Sequence, residues 1–136
     1  MRVLVADDDG DVTLVLAEAL GERGHLVAVA ATGQEAIDKA AAFQPDAAVI
    51  DVGLPDMDGV TLAELLRGAA SSKPVRIIGL SGYSDPGLRA AVARDLFDEL
   101  LFKPASLAAI ERALRAARPD SGNIGPRSRR RRPASA

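Results

Sequence analysis

Short apolar runs alternate with stretches of helical periodicity along most of this chain. RVLVA (2–6), HLVAVA (25–30), AAVID (47–51), VRIIGL (75–80) and ELLF (99–102) have the length and content of strands. The third and fourth are almost wholly apolar, as central strands covered on both faces should be. Between them, residues 11–23 set Val12, Leu16, Ala19 and Leu20 on one helical face, and Gly24 supplies a stop. Thr32-Gly-Gln-Glu35 fits a capping box ahead of Ala36, Ala40 and Phe43, with Pro45 beyond. Residues 60–69 carry Leu62, Leu65, Leu66 and Ala69 at helical spacing. Asp85 and Pro86 read as an N-cap and a first helical position. Ser106 caps a last helix, with Leu107, Ile110 and Leu114 on one face.

Five β-α pairs in strict alternation predict an α/β fold: a parallel sheet with helices on both faces and right-handed crossovers. From Pro119 the pattern stops. PDSGNIGPRSRRRRPASA is rich in Pro, Gly, Ser and Arg, and a disordered basic tail is expected there. The expected organisation is one domain over 1–118 and a tail over 119–136. A chain of 136 residues is long enough for one core.

Composition narrows the chemistry. There is no cysteine, which excludes disulfides, thiolate catalysis and Cys-ligated zinc. The only histidine, His25, argues against a multi-histidine metal site. Aromatic residues make up 3% of the chain, too few for a stacking platform for single-stranded nucleic acid. No apolar run nears the roughly 20 residues that span a bilayer, and the acidic N-terminus is no secretory signal. The expected location is cytoplasmic. The net charge of −2 conceals an asymmetry. Five arginines (Arg127, Arg129, Arg130, Arg131 and Arg132) lie in the tail, which leaves 12 basic residues against 19 acidic ones in residues 1–120. An acidic body does not read as a nucleic-acid-binding fold.

In open α/β sheets ligands bind at the carboxyl ends of the strands. The first strand ends in Asp7 and Asp8, the third in Asp51, the fourth at Ser81 and the fifth at Lys103-Pro104. If the strand order is 2-1-3-4-5, these ends converge. Three carboxylates close together need a cation, and all-oxygen ligands favour Mg²⁺ or Mn²⁺. With a lysine and a hydroxyl beside them, the fitting visitor is a phosphoryl group, and a carboxylate can be its acceptor.

VLVADDDGDV, AAVIDVGLPDMDG, GLSGYSD and LLFKPAS, in this order and spacing, resemble the four signatures of the receiver domain of two-component response regulators, over residues 2 to about 118. The resemblance implies a flavodoxin-like, doubly wound (βα)5 fold with strand order 2-1-3-4-5, as in stand-alone CheY-like receivers. It implies that Asp51 is the phosphoacceptor. Asp8, Asp51 and the main-chain carbonyl of Gly53 would ligate Mg²⁺ directly, and Asp7 mainly through water. Lys103 would pair with Asp51 and then with a phosphoryl oxygen. Ser81 stands where threonine is more usual and would follow the phosphoryl group. The Lys103–Pro104 peptide is expected to be cis. The donor would be a histidine kinase, a histidine phosphotransfer protein or a small acyl phosphate. The domain, although not an enzyme acting on a separate substrate, would catalyse its own phosphorylation and dephosphorylation.

The other acids of the motifs have plainer roles. Asp9 and Asp11 read as turn or helix-start charges, and Asp56 and Asp58 as loop and capping residues. Gly59 reads as a permissive turn residue, and His25 as a surface or strand-edge residue. Two departures from the family pattern stand out. Leu100 occupies the place of a common switching aromatic, and Leu96 that of a usual glycine. Tyr83, two residues past Ser81, reads as an aromatic packed on its loop. Some 18 residues beyond the last helix cannot hold a DNA-binding module, so a stand-alone receiver is expected. Its output would be a contact with another protein through a face containing Leu88, Val92 and Leu100. The alternatives are a phosphate-sink receiver derived from a hybrid kinase, and nucleic-acid binding through the tail.

Overall fold

A computed structural model describes residues 1–69, 74–82 and 96–116. The expected helix at Asp85, Tyr83, Leu88, Val92 and the tail lie outside the described residues. The elements run β1 (Arg2–Ala6), α1 (Gly10–Glu22), β2 (Leu26–Ala30), α2 (Gly33–Phe43), β3 (Ala47–Asp51), α3 (Gly59–Ala69), β4 (Arg76–Ser81), β5 (Glu99–Phe102) and α4 (Leu107–Arg115). The five strands form one parallel sheet in the order β2-β1-β3-β4-β5, as expected.

Period-two alternation sends successive residues of each strand to opposite faces. Leu4, Ala48, Ile50 and Ile77 meet Ala36 and Ala40 of α2 and Leu62, Ala63 and Leu66 of α3. Val3, Val5, Ala47, Val49, Ile78 and Leu80 meet Leu16 and Leu20 of α1 and Ile110, Ala113 and Leu114 of α4. The sheet therefore has two cores, one on each face. β3 is buried along its whole length, as its unbroken apolar run foretold.

The helix ends follow local chemistry. Asp9 is the N-cap of α1 and accepts from the N–H groups of Asp11 and Val12. Gly24, at φ +95°, ends that helix. Its N–H reaches Gly21 O and that of His25 reaches Leu20 O, a Schellman pair. Thr32 caps α2 by accepting from Glu35 N–H. The Glu35 carboxylate accepts from Ala31 N–H, one residue earlier than a strict capping box would place it.

Three readings shift. β2 begins at Leu26, so His25 precedes it. That residue is 7% exposed and is not a surface group. Its Nε2 lies 3.1 Å from Glu111 Oε2 on α4, and its Nδ1 lies 3.2 Å from the Met1 amine. Glu111 Oε1 accepts from Arg115 Nε at 3.0 Å. The buried polar groups are thus paired, which removes the penalty of isolating them. β4 runs one residue further than its apolar run, so Ser81 is itself in the sheet. Gly59 needs no unusual backbone angle. Its value is close approach, because a Cβ there would lie 2.8 Å from Val52 Cα.

Candidate phosphoacceptor site

The strand order brings the carboxyl ends of β1, β3, β4 and β5 side by side. Asp7 follows β1, and its N–H is held by Ala30 O at 3.0 Å. Asp51 ends β3 and Ser81 ends β4. Lys103 follows β5, its N–H donating to Ser81 O at 2.8 Å. Backbone pairing thus carries each functional side chain to one rim.

Carboxylate oxygens of Asp7, Asp8 and Asp51 lie within 4.8 Å of one another. Asp7 is 2% and Asp51 5% exposed, while Asp8 faces solvent. Lys103 Nζ lies 3.2 Å from Asp51 Oδ2 and 3.5 Å from Asp7 Oδ2. Asp51 Oδ1 accepts from Gly53 N–H at 3.0 Å, and Asp7 Oδ1 from Asp9 N–H at 3.0 Å. Asp7 Oδ2 is buried and accepts no hydrogen bond. Ser81 is fully buried, and its hydroxyl donates to Gly82 O at 2.9 Å. The Lys103–Pro104 peptide is cis, as expected.

The electrostatics follow from this geometry. Burial pushes the Asp7 carboxyl above its ordinary range. The Asp51 charge adds to that push, and the Asp9 N–H and Lys103 only partly oppose it. Burial alone would lower Lys103, but Asp51 and Asp7 outweigh it and raise the ammonium above its usual value. Among the described residues, one ammonium faces three carboxylates, which leaves a negative excess. An octahedral ion with bonds of about 2.1 Å sets its ligand oxygens roughly 3–4 Å apart. The oxygen cluster and the orphaned Asp7 Oδ2 fit such an ion.

The family model for the response regulator receiver domain matches residues 3–115. This chain belongs to the response regulator receiver family. The transcriptional regulatory protein PrrA of Mycobacterium tuberculosis is 40% identical over 107 residues, covering 79% of this chain and 45% of that protein. The chain spans about half the length of the curated relatives it matches. A Burkholderia pseudomallei response regulator, solved with a phosphorylated aspartic acid, a calcium ion and citrate, is 29% identical. It matches with a TM-score of 0.74, over 88% of this chain and 68% of that one. Thermotoga maritima TrrA, solved with Mg²⁺-BeF, is 27% identical with a TM-score of 0.71, over 84% of this chain and 96% of that one.

Phosphorylation on aspartate is general to receiver domains, and receiver domains bind Mg²⁺ at a cluster of aspartates. This receiver carries such a cluster in Asp7, Asp8 and Asp51. One expectation is overturned. The family match and the relatives mark a receiver, for which only the family's autophosphorylation is indicated and not an enzyme with catalytic activity, so the expected catalysis of both phosphorylation and dephosphorylation does not stand.

The remaining acids separate as the motifs implied, with one surprise. Asp9 caps α1, Asp11 is a first-turn acid, and Asp58 caps α3 by accepting from Thr61 N–H at 2.8 Å. Asp56 does not cap locally. Its two oxygens accept from Gly33 N–H at 2.8 Å and Gln34 N–H at 3.0 Å, at the start of α2. No local signal could announce a contact across 23 residues. Leu100 packs with Phe97 over Gly79. Leu96 presents its carbonyl to the Arg67 guanidinium, which also donates to Val75 O. Among the described residues, no helix is long and apolar enough to cross a membrane.

Proposed function

We propose that this receiver accepts a phosphoryl group on Asp51, from a histidine kinase or a histidine phosphotransfer protein, and signals through a changed protein–protein contact. The observation that carries this reading is the convergence of Asp51 with Lys103, Ser81, Asp7 and Asp8 on one rim. Asp7, Asp8, Asp51 and the Gly53 main-chain carbonyl would hold Mg²⁺, whose charge offsets that of the incoming phosphoryl oxygens.

The chain's own groups divide the remaining work. A carboxylate oxygen of Asp51 bonds to phosphorus as the donor's N–P bond breaks, which gives an acyl phosphate and a neutral imidazole. Lys103 then trades its contact with Asp51 Oδ2 for one with a phosphoryl oxygen, keeping its charge paired. Ser81 turns its hydroxyl from Gly82 O toward the phosphoryl group. Because Ser81 lies in β4 and Lys103 beside β5, both shifts are felt on the sheet edge that includes Leu100.

The test is transfer from a phosphorylated histidine kinase, read as base-labile label on the full chain. Wild type should take up base-labile label in the presence of Mg²⁺, and Asp51→Asn should take up none. Undiminished labelling of Asp51→Asn would remove Asp51 from this role.

A further inference from the structure

Asp56 sits in the β3–α3 loop but holds the first turn of α2. A helix start leaves orphan N–H donors. In α2 the Asp56 carboxylate takes those of Gly33 and Gln34, and Thr32 takes that of Glu35. These N–H groups hold the Asp56 carboxyl below its ordinary range, and its charge suits the helix N-terminus. The neighbouring Met57 reinforces the clasp. Its side chain occupies the space over Gly33 so fully that a Cβ there would lie 2.5 Å from Met57 Cγ. Met57 also packs on the α2–α3 core.

The same loop is tied at its base. Gly53 bridges to Asp58, and Gly59 N–H donates to Val52 O at 2.8 Å. Asp58 is fixed to α3 through Thr61. The segment from Gly53 to Asp58 is therefore a closed span with two anchors at its foot and one at its tip. The tip anchor is Asp56 with Met57. Gly53 has no side chain to hold it, and its N–H bonds to Asp51 Oδ1.

We propose that Asp56 is a positioning residue: by clasping the α2 N-terminus it fixes the 53–58 span, and so sets how well the Gly53 main chain and Asp51 bind Mg²⁺. This rests on the Asp51 pocket being the Mg²⁺ site. Outer-shell partners of metal ligands commonly change affinity by about 10- to 100-fold. An anchor that acts through a loop belongs at the low end, about tenfold.

The experiment is a Mg²⁺ titration of the full chain, followed by amide shifts in two-dimensional NMR well below the melting temperature. Wild type should show saturable shifts at Asp51 and Gly53, which Asp51→Asn abolishes. Asp56→Ala should raise the Mg²⁺ dissociation constant about tenfold. Asp56→Asn, which keeps one acceptor oxygen, should recover part of that loss. Ala40→Gly loosens buried α2 away from the pocket, and should lower thermal stability without changing Mg²⁺ affinity. Wild-type affinity in Asp56→Ala overturns the proposal, as does an equal loss in Ala40→Gly. If wild type shows no Mg²⁺ shifts at Asp51, the pocket reading falls and takes this one with it. If those shifts are present but indifferent to Asp56, only the clasp is refuted.

Discussion

Lys103 Nζ lies 3.2 Å from Asp51 Oδ2, so one side chain from the end of β5 neutralises the buried carboxylate at the end of β3. It also reaches Asp7 Oδ2 at 3.5 Å. Removing it leaves two buried carboxylates facing each other. Lys103→Met should destabilise the metal-free protein by about 1 kcal/mol, a modest figure because the lysine is partly solvated. Added Mg²⁺ should restore most of the loss, since it supplies positive charge to the same oxygens. Urea melts with and without Mg²⁺ check this, and an equal deficit in both conditions would contradict it.

Asp7 makes the opposite prediction. Its ionised form is disfavoured chiefly by burial, and one of its oxygens lacks a hydrogen bond. Asp7→Asn should therefore raise the stability of the metal-free protein by about 1 kcal/mol, or roughly 4 °C in Tm. It should also shrink the stabilisation that Mg²⁺ confers, which for wild type at ten times Kd is about 1.4 kcal/mol. Calorimetry in chelator and in Mg²⁺ measures both effects.

The Glu111 network sets a pH dependence away from the pocket. Burial alone would raise the Glu111 carboxyl, but Arg115 and His25 more than offset this and hold it below its ordinary value of 4.5. A carboxyl lowered by folding stabilises the protein above its unfolded value, and that contribution is lost as the pH falls through the folded value. Glu111→Gln should cost about 1–2 kcal/mol at pH 7. The urea midpoints of wild type and variant should converge as the pH drops below 4.5. A gap that persists unchanged in acid would show that the charge of Glu111 is irrelevant.

Gly79 tests the packing under Leu100. A Cβ at Gly79 would lie 2.7 Å from Leu100 Cδ1 and 2.9 Å from the Phe97 ring. Gly79→Ala should cost about 1–3 kcal/mol through overpacking. Leu100→Ala in that background should recover part of the loss, so the two costs should be less than additive in a double-mutant cycle.

The chain itself determined the elements and the chemical cast. Short apolar runs such as RVLVA, the caps at Thr32 and Ser106, and the stop at Gly24 are local, so they are legible one segment at a time. The all-oxygen donor set of Asp7, Asp8 and Asp51 was legible for the same reason, once the strand order was supposed. Tertiary structure alone decided what crosses between elements. It buried His25 against Glu111, 86 residues away. It sent Asp56 to cap α2 rather than its own helix. It left Asp7 Oδ2 without a hydrogen bond beside Lys103. Such pairings depend on where a parallel sheet carries distant side chains, and neither periodicity nor spacing encodes that. The residue types named the chemistry, and the 2-1-3-4-5 order gave it a place.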